Sequence, residues 1–305
     1  MPSSGLGNSF NTDYTRCQRY FYYKHRRGIE RKRDATLQPA LVIGTCVHEA
    51  LAQYLVGQAL EYGPDECLQG MRNTWQLALE RECDGVGYDP YSATDDDFDA
   101  RCQVAEAVME AWAVQQWERG NDETTLAVEW DAVGWLPNHD YILPHLYQMT
   151  FRADHVVRLS DGTVCIRDWK TTRAPSPQTE ARNYLMTDQH LGYAWAWQRA
   201  HPEDQVYTVE YAFLRLHPKV SSKDAFHIER RDVFPEQLED WYERMAALRG
   251  DMSGKWDDAA VAWQQNRIAH GPCMMYGRAC EYAPLCQRPW DREQQIREHY
   301  QEREE

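Results

Sequence analysis

Asp154, Asp168 and Lys170 are the side chains of this sequence whose types and spacing could share one piece of chemistry. Asp154 stands in HLYQMTFRADHVVRL (145 to 159), and Asp168-Trp169-Lys170 stands in TVCIRDWKTT (163 to 172). Both runs are rich in β-branched and aromatic residues and read as strands, with Ser160-Asp161-Gly162 as a hairpin turn between them. Strand side chains alternate, so Asp168 and Lys170 leave one face and Trp169 leaves the other. Two carboxylates and an ammonium then converge. A hard divalent cation such as Mg²⁺ takes one or two carboxylates and leaves its remaining positions to water and substrate phosphate. Such an ion lowers the pKa of a water and neutralises charge on a scissile phosphate, while Lys170 can orient the water or stabilise the transition state. A D-x-K alone is usually a surface ion pair. The second Asp on the partner strand is what gives it weight.

A second constellation is made of thiols. Cys273, Cys280 and Cys286 lie close together in GPCMMYGRACEYAPLCQRP, and Cys17 lies far upstream in YTRCQRYFYYKHRRG. Four thiolates suit a [4Fe-4S] cluster or a tetrahedral zinc ion, and composition does not choose between them. Cys46, Cys67, Cys83, Cys102 and Cys165 show no partner pattern and read as small buried hydrophobes.

The elements that must position these groups follow from periodicity. Residues 44 to 60, 67 to 82 and 99 to 119 have helical spacing, the first behind a Gly-Thr start, and an acidic loop occupies 83 to 97. The period then changes to that of strands at 124 to 136, 145 to 159 and 163 to 172, which predicts a three-strand meander. A helix at about 178 to 200, strands at 205 to 216 and 224 to 233, and a helix at 235 to 250 complete the pattern. From 253 onward the chain reads as helical or irregular. No repeat or long linker divides the 305 residues, so we expect one domain. Within it 50 to 120 would be a helical insertion, 124 to 234 the sheet core carrying the catalytic groups, and Cys17 with 273 to 286 the cysteine region.

The order of these motifs resembles the PD-(D/E)XK nuclease superfamily, and in particular its RecB-like branch. That branch has GTxxH on a helix, an Asp on a strand, D-x-K on the next, and Q-x-x-x-Y on a following helix. Here the matching residues are Gly44-Thr45 leading to His48, then Asp154, then Asp168-Trp169-Lys170, then Gln189 and Tyr193. The resemblance implies an α/β fold with a restriction-endonuclease-like core, a central mixed sheet flanked by helices. It also implies a Mg²⁺ or Mn²⁺ ion held by His48, Asp154 and Asp168, with the backbone carbonyl of Trp169 as a further ligand. Gln189 and Tyr193, four residues apart and so on one side of their helix, would position Lys170 or the DNA strand. Some members carry one Cys before the nuclease core and three after it, ligating a [4Fe-4S] cluster. By that likeness Cys17, Cys273, Cys280 and Cys286 would staple the N- and C-terminal segments. The gap of five residues between the last two matches the family, and the gap of six before them is longer than the family's. Glu129, on the preceding strand, could add a carboxylate to the site, but an exposed strand residue is the plainer reading, and Glu49 points about 100° away from His48 around the helix, so both stay outside the expected site.

Bulk properties bound the partners. The net charge of −15 argues against a general phosphate-binding surface. However, acids gather in DDDFD (95 to 99) and the tail EHYQEREE, whereas eight Lys or Arg face one acid, Glu30, between Arg16 and Arg33. Tyr20, Phe21, Tyr22 and Tyr23 interleave with those cations, a composition that suits a surface binding single strands, though a solvated amphipathic helix is the plainer reading. No run approaches the roughly 18 apolar residues of a membrane span, and MPSSGLGNSF lacks the order of a signal peptide, so we expect no membrane association and a cytoplasmic location. Nine cysteines in that compartment favour ligation or burial over disulfides. The expectation is therefore a metal-dependent deoxyribonuclease, most naturally an exonuclease acting on single-stranded DNA or duplex ends in recombination, repair or phage replication, with a recombination or replication protein as a candidate partner. The rivals are a non-catalytic DNA-binding recombination subunit on the same fold and a zinc-stapled structural protein.

Overall fold

The computed structural model describes residues 7–31, 39–84, 96–120, 122–136, 144–172, 181, 187–217, 225–255, 274–275, 278–287 and 291–302. Its chain divides into two compact units. The first holds 35–132 and 151–239, and the second holds 2–34, 133–150 and 240–305.

The first unit is built on five strands in the order β2-β3-β4-β5-β6, with β2 at Glu123–Trp135, β3 at Gln148–Leu159, β4 at Val164–Thr172, β5 at Val206–Arg215 and β6 at Phe226–Asp232. The strand ends 133–135 and 148–150 count with the second unit. β3 and β4 are antiparallel, with His155 opposite Arg167, and β5 and β6 are antiparallel, whereas β4 and β5 run parallel. The sheet is thus mixed, as the resemblance implied. A parallel pair needs a crossover, and α6 (Gln189–Ala200) lies in the segment between β4 and β5. The β3–β4 hairpin closes where the sequence put it. Gly162, at φ +87, donates its N–H to the Leu159 carbonyl at 2.9 Å, a left-handed position that glycine accepts without a Cβ penalty.

Helices α3 (Pro39–Ala59), α4 (Pro64–Asp84) and α5 (Asp96–Gly120) pack on this unit. Helix α3 begins five residues before the expected Gly-Thr start, at a proline whose missing N–H costs nothing in a first turn. Gly44 is an interior helix residue. A Cβ there would stand 3.1 Å from the Thr171 hydroxyl of β4, so the glycine lets helix and strand approach. Val42, Cys46, Val47, Ala50, Leu51, Tyr54 and Leu55 recur at helical spacing and share a core with Trp75 of α4, Trp112 of α5 and Trp169 of β4. The residues 40–59 are, by length and hydropathy, apolar enough to cross a membrane, contrary to the sequence expectation, and 56% of that window is buried inside the protein. Its apolarity is thereby accounted for by a core position. Cys46, Cys67, Cys83 and Cys165 are buried as expected, and Cys102 is partly buried against the same core.

The second unit brings together both ends of the chain. It contains α1 (Asn8–Arg16), α2 (Gln18–Phe21), a π-helical turn (Tyr22–Arg26), β1 (Ile29–Arg31), a 3₁₀ turn (Pro144–Tyr147), most of α7 (Pro235–Lys255), β7 (Met274–Met275), β8 (Arg278–Ala279), α8 (Ala283–Gln287), α9 (Arg292–His299) and β9 (Tyr300–Glu302). β1 pairs antiparallel with β9, and the Tyr282 hydroxyl donates to the Ile29 carbonyl at 2.6 Å. Cys17, Tyr20, Tyr23, Ile29, Tyr282, Leu285 and Tyr300 form its apolar cluster, with Cys280 and Cys286 packed against it. Tyr20 and Tyr23 are buried in it, at 9% and 2% exposure, and Phe21, at 0%, is buried against the rings of Phe10, Tyr14 and His25. Rings enclosed in this way cannot stack on bases, so the expected strand-binding role fails for these three. Their alternation with cations instead marks an amphipathic segment whose rings face inward.

Candidate active site

The candidate site lies wholly in the first unit, and its hairpin supplies the frame. Continuing the β3–β4 register one pair beyond His155 and Arg167 sets Asp154 opposite Asp168. Asp154 accepts a hydrogen bond from the Trp169 backbone N–H at 2.6 Å on one oxygen, and its other oxygen lies 3.3 Å from His48 Nδ1. The Trp169 side chain, on the opposite face from Asp168, is buried against α3 and α5, with its ring edge-on to those of His48 and Trp112 at centroid distances of 6.0 and 5.7 Å. That packing fixes the strand beneath the helix carrying His48.

Asp168 forms an ion pair with Lys170 two residues along its own strand, as alternation required. Its other oxygen accepts a hydrogen bond from the Tyr193 hydroxyl at 3.0 Å, and that hydroxyl in turn accepts from Gln189 Nε2 at 2.6 Å. Gln189 and Tyr193, four residues apart on α6, thus reach Lys170 through Asp168. Asp168 is buried, at 3% exposure, while Lys170 keeps 19% of its side chain in solvent.

The charges have been pushed apart by their surroundings. Burial raises the Asp154 carboxyl, but His48, Lys170 and the Trp169 N–H outweigh it and hold that carboxyl below its usual range. Asp168 moves the other way, because burial and the Asp154 charge prevail over Lys170. Burial alone would lower His48, yet the facing Asp154 raises it. Tyr193 is driven well above its ordinary range by burial and by Asp168, so it remains a hydroxyl donor.

Glu129 of β2 belongs to this group, the carboxylate that the sequence offered as a further site residue but read more plainly as an exposed one. Ligand atoms of His48, Glu129 and Asp154 all lie within 4.8 Å of one another. Its pKa is pushed up to about 7, by burial first and then by Asp154. Its backbone sits at φ +49, a left-handed value inside a strand. The regular alternation that would have read its side-chain direction therefore breaks down there. Glu49, by contrast, is engaged 2.8 Å from Arg81, as its place on the helix suggested. One further metal-spaced group exists among the described residues, His201, Glu203 and Asp204, but Asp204 is held at 2.6 Å by Arg158 and at 3.1 Å by Trp197.

One imidazole and three carboxylates, countered by Lys170 beside Asp168 and by Arg152 at 3.9 Å from Glu129, form a donor set that fits a hard divalent cation. The PD-(D/E)XK nuclease superfamily model matches residues 11–287. The chain belongs to the PD-(D/E)XK nuclease superfamily. That span takes in every residue of the site just described. No curated protein matches this superfamily member. Among solved structures it is similar to a candidate exonuclease from Eubacterium rectale (10% identity over 86% of this chain and 88% of that one, TM-score 0.47). It is also similar to a protein designated SSO0001 (10% identity over 88% and 93% of the two chains, TM-score 0.30). Both likenesses are distant.

Proposed function

We propose that this superfamily member is a Mg²⁺- or Mn²⁺-dependent deoxyribonuclease of the RecB-like branch, acting as an exonuclease on DNA. The observation that carries the reading is the paired arrangement of the hairpin, His48 on Asp154 and Lys170 on Asp168, with the two Asp side by side. His48, Asp154 and Asp168 would hold the cation. A divalent ion bound there supplies a more acidic water and neutralises charge on the scissile phosphate. Lys170 is the group left to orient that water and to meet charge developing on the phosphate oxygens, since its ammonium is partly exposed and held by Asp168. Tyr193 and Gln189 keep Asp168, and through it Lys170, in place. The buried triad of rings at 20, 21 and 23 withdraws one argument for a single-strand surface, and the family membership supports the nuclease reading without it.

Purified protein given end-labelled single- and double-stranded DNA should shorten it from an end when Mg²⁺ or Mn²⁺ is present, and should stop in excess chelator. Mn²⁺ should serve at least as well as Mg²⁺, because an imidazole in the donor set suits it better. Undiminished cleavage in chelator overturns the reading, and internal cuts in a closed circle replace the exonuclease mode with an endonuclease.

The cysteine frame is proposed on a separate observation. Cys17, Cys280 and Cys286 share one cluster with the paired β1 and β9 ends, and Cys273 lies outside the described residues. With Cys273 they would hold a [4Fe-4S] cluster, or zinc in its place, adding a covalent staple to ends already joined by hydrogen bonds. Metal ligation of this kind acts as folding free energy. Anaerobically purified protein should be brown, and Cys286→Ser should lose the colour and melt earlier, while Cys165→Ser keeps the colour. A colourless protein carrying one zinc per chain selects the zinc version, and a stable Cys17→Ser/Cys286→Ser variant with full metal content removes the staple.

A further inference from the structure

We infer, on the DNA-cleaving reading above, that Arg231 of β6 and His190 of α6 form a second anion seat next to the catalytic hairpin, one that takes a phosphate of the DNA strand. Sheet register places the two groups. Ile166 of β4 stands beside Val209 of β5, and Val209 stands opposite Arg231, so these side chains leave one face. Asp168, two residues from Ile166, leaves it too. Helix α6 lies over that face, because its Tyr193 hydroxyl meets Asp168. His190 precedes Tyr193 by three residues and so stands on nearly the same side of the helix. From Asp168 to Arg231 the path runs two strands across and two residues along, roughly 12 Å by the ordinary sheet spacings. That is about three to four nucleotide steps at a rise of about 3.4 Å each.

The protein does not satisfy either group. Among the described residues, Arg231 Nε and Nη2 and His190 Nδ1 are enclosed and have no hydrogen-bond partner. Glu229 stands 3.7 Å from Arg231 Nη2, so it offsets part of the charge from beyond hydrogen-bond reach. Arg152, Arg158, Arg167 and Arg230, on strands of the same sheet, each donate to a carboxylate at 2.9 Å or less. Arg231 is the exception among these five. Burial first and then Arg231 lower the His190 imidazole, against Asp188 and the Thr187 backbone, so the two nitrogen groups sit close enough to feel each other. An enclosed donor without an acceptor forfeits the bonds it made to water, and a phosphate, with oxygens on several sides, supplies acceptors to a guanidinium fork and an imidazole together. Arg231 keeps 25% of its side chain exposed, which leaves it within reach of a strand lying along the sheet.

The test is binding of fluorescent single-stranded DNA by the full chain, read as anisotropy over a salt series in excess chelator so that nothing is cut. Affinity for phosphates falls as salt rises, with a slope that drops by about 0.7 for each contact removed from a single strand. Arg231→Gln should bind roughly 10-fold or more weakly at low salt and show a slope shallower by that amount. Arg231→Lys should lose part of the affinity and keep the slope, since the charge remains without the planar fork. His190→Leu should bind about 3- to 10-fold more weakly, and it carries the test if Arg231→Gln fails to fold. Arg72→Gln removes the same charge from α4, where Arg72 is paired with Glu110 at 2.6 Å, and should leave both affinity and slope unchanged. Oligonucleotides with and without a 5′-phosphate assign the source. A loss seen with both marks a phosphate inside the strand, and a loss confined to the phosphorylated one marks an end phosphate. A wild-type slope in folded Arg231→Gln, or wild-type affinity in folded His190→Leu, overturns the seat. Equal flattening by Arg72→Gln overturns it too, because the effect would then be one of bulk charge. A wild-type protein that binds no DNA even at low salt overturns the DNA-cleaving reading itself, which separates the two failures.

Discussion

Lys170→Ala should lower single-turnover DNA cleavage by about 10²- to 10³-fold or more, the effect of withdrawing a preorganised charge from a developing oxyanion. Lys170→Arg should not restore it, because a planar guanidinium cannot occupy the place of a compact ammonium seated on Asp168. Asp168→Asn should be as damaging to the rate. It is preferable to Asp168→Ala, since Asp168 is buried and its truncation would leave both Lys170 and the Tyr193 hydroxyl without their acceptor. Circular dichroism and thermal melting establish that each variant is folded before its rate is read. A folded Lys170→Ala protein cutting at near wild-type rates on both single- and double-stranded DNA would move the chemistry elsewhere.

The second large effect concerns stability. Arg167 on the catalytic strand β4 and Glu210 on the neighbouring β5 are 3% and 4% exposed and lie 2.7 Å apart, with Glu123 at 2.6 Å from Arg167 and with Arg119 and Arg230 at 3.0 and 2.9 Å from Glu210. Glu210→Ala leaves the buried Arg167 facing one acid where it had two. Breaking a buried pair in this way costs about 3–5 kcal/mol, whereas replacing both partners by apolar residues of similar volume is often close to neutral. Urea unfolding should therefore find Glu210→Ala far less stable than an Arg167→Met/Glu210→Leu double variant. The acid limb follows from the same geometry. Burial raises the Glu210 carboxyl, but Arg167 and Arg119 outweigh it and bring its pKa down to about 2. A carboxyl depressed in the folded state adds stability above its unfolded value, near 4.5, and that contribution is lost as pH falls toward 2. Between those limits Glu210→Gln should show a shallower loss of stability than the wild type. Equal slopes would mean that the network is already silent in the native state.

Much of the fold was legible in the residues because it depends on local rules. Strand alternation placed Asp168 and Lys170 on one face and Trp169 on the other, and Ser160-Asp161-Gly162 announced the turn that sets Asp154 opposite Asp168. Four-residue spacing put Gln189 and Tyr193 on one side of α6, where they bond to each other. Tertiary structure decided what those rules do not contain. Alternation says which face a side chain leaves but not how deep that face lies, so the burial of Asp168 against Tyr193 and of the rings at 20 and 23 against Tyr282 came from packing against elements distant in the chain. The parallel pairing of β4 with β5, which brings Arg167 to Glu210, joins residues 43 apart through a crossover whose path no local pattern specifies. Glu129 could be named from the sequence only as a further carboxylate, without its direction, for a sharper reason. The pleat that predicts side-chain direction assumes an extended backbone, and at φ +49 that assumption fails at this strand residue beside His48 and Asp154.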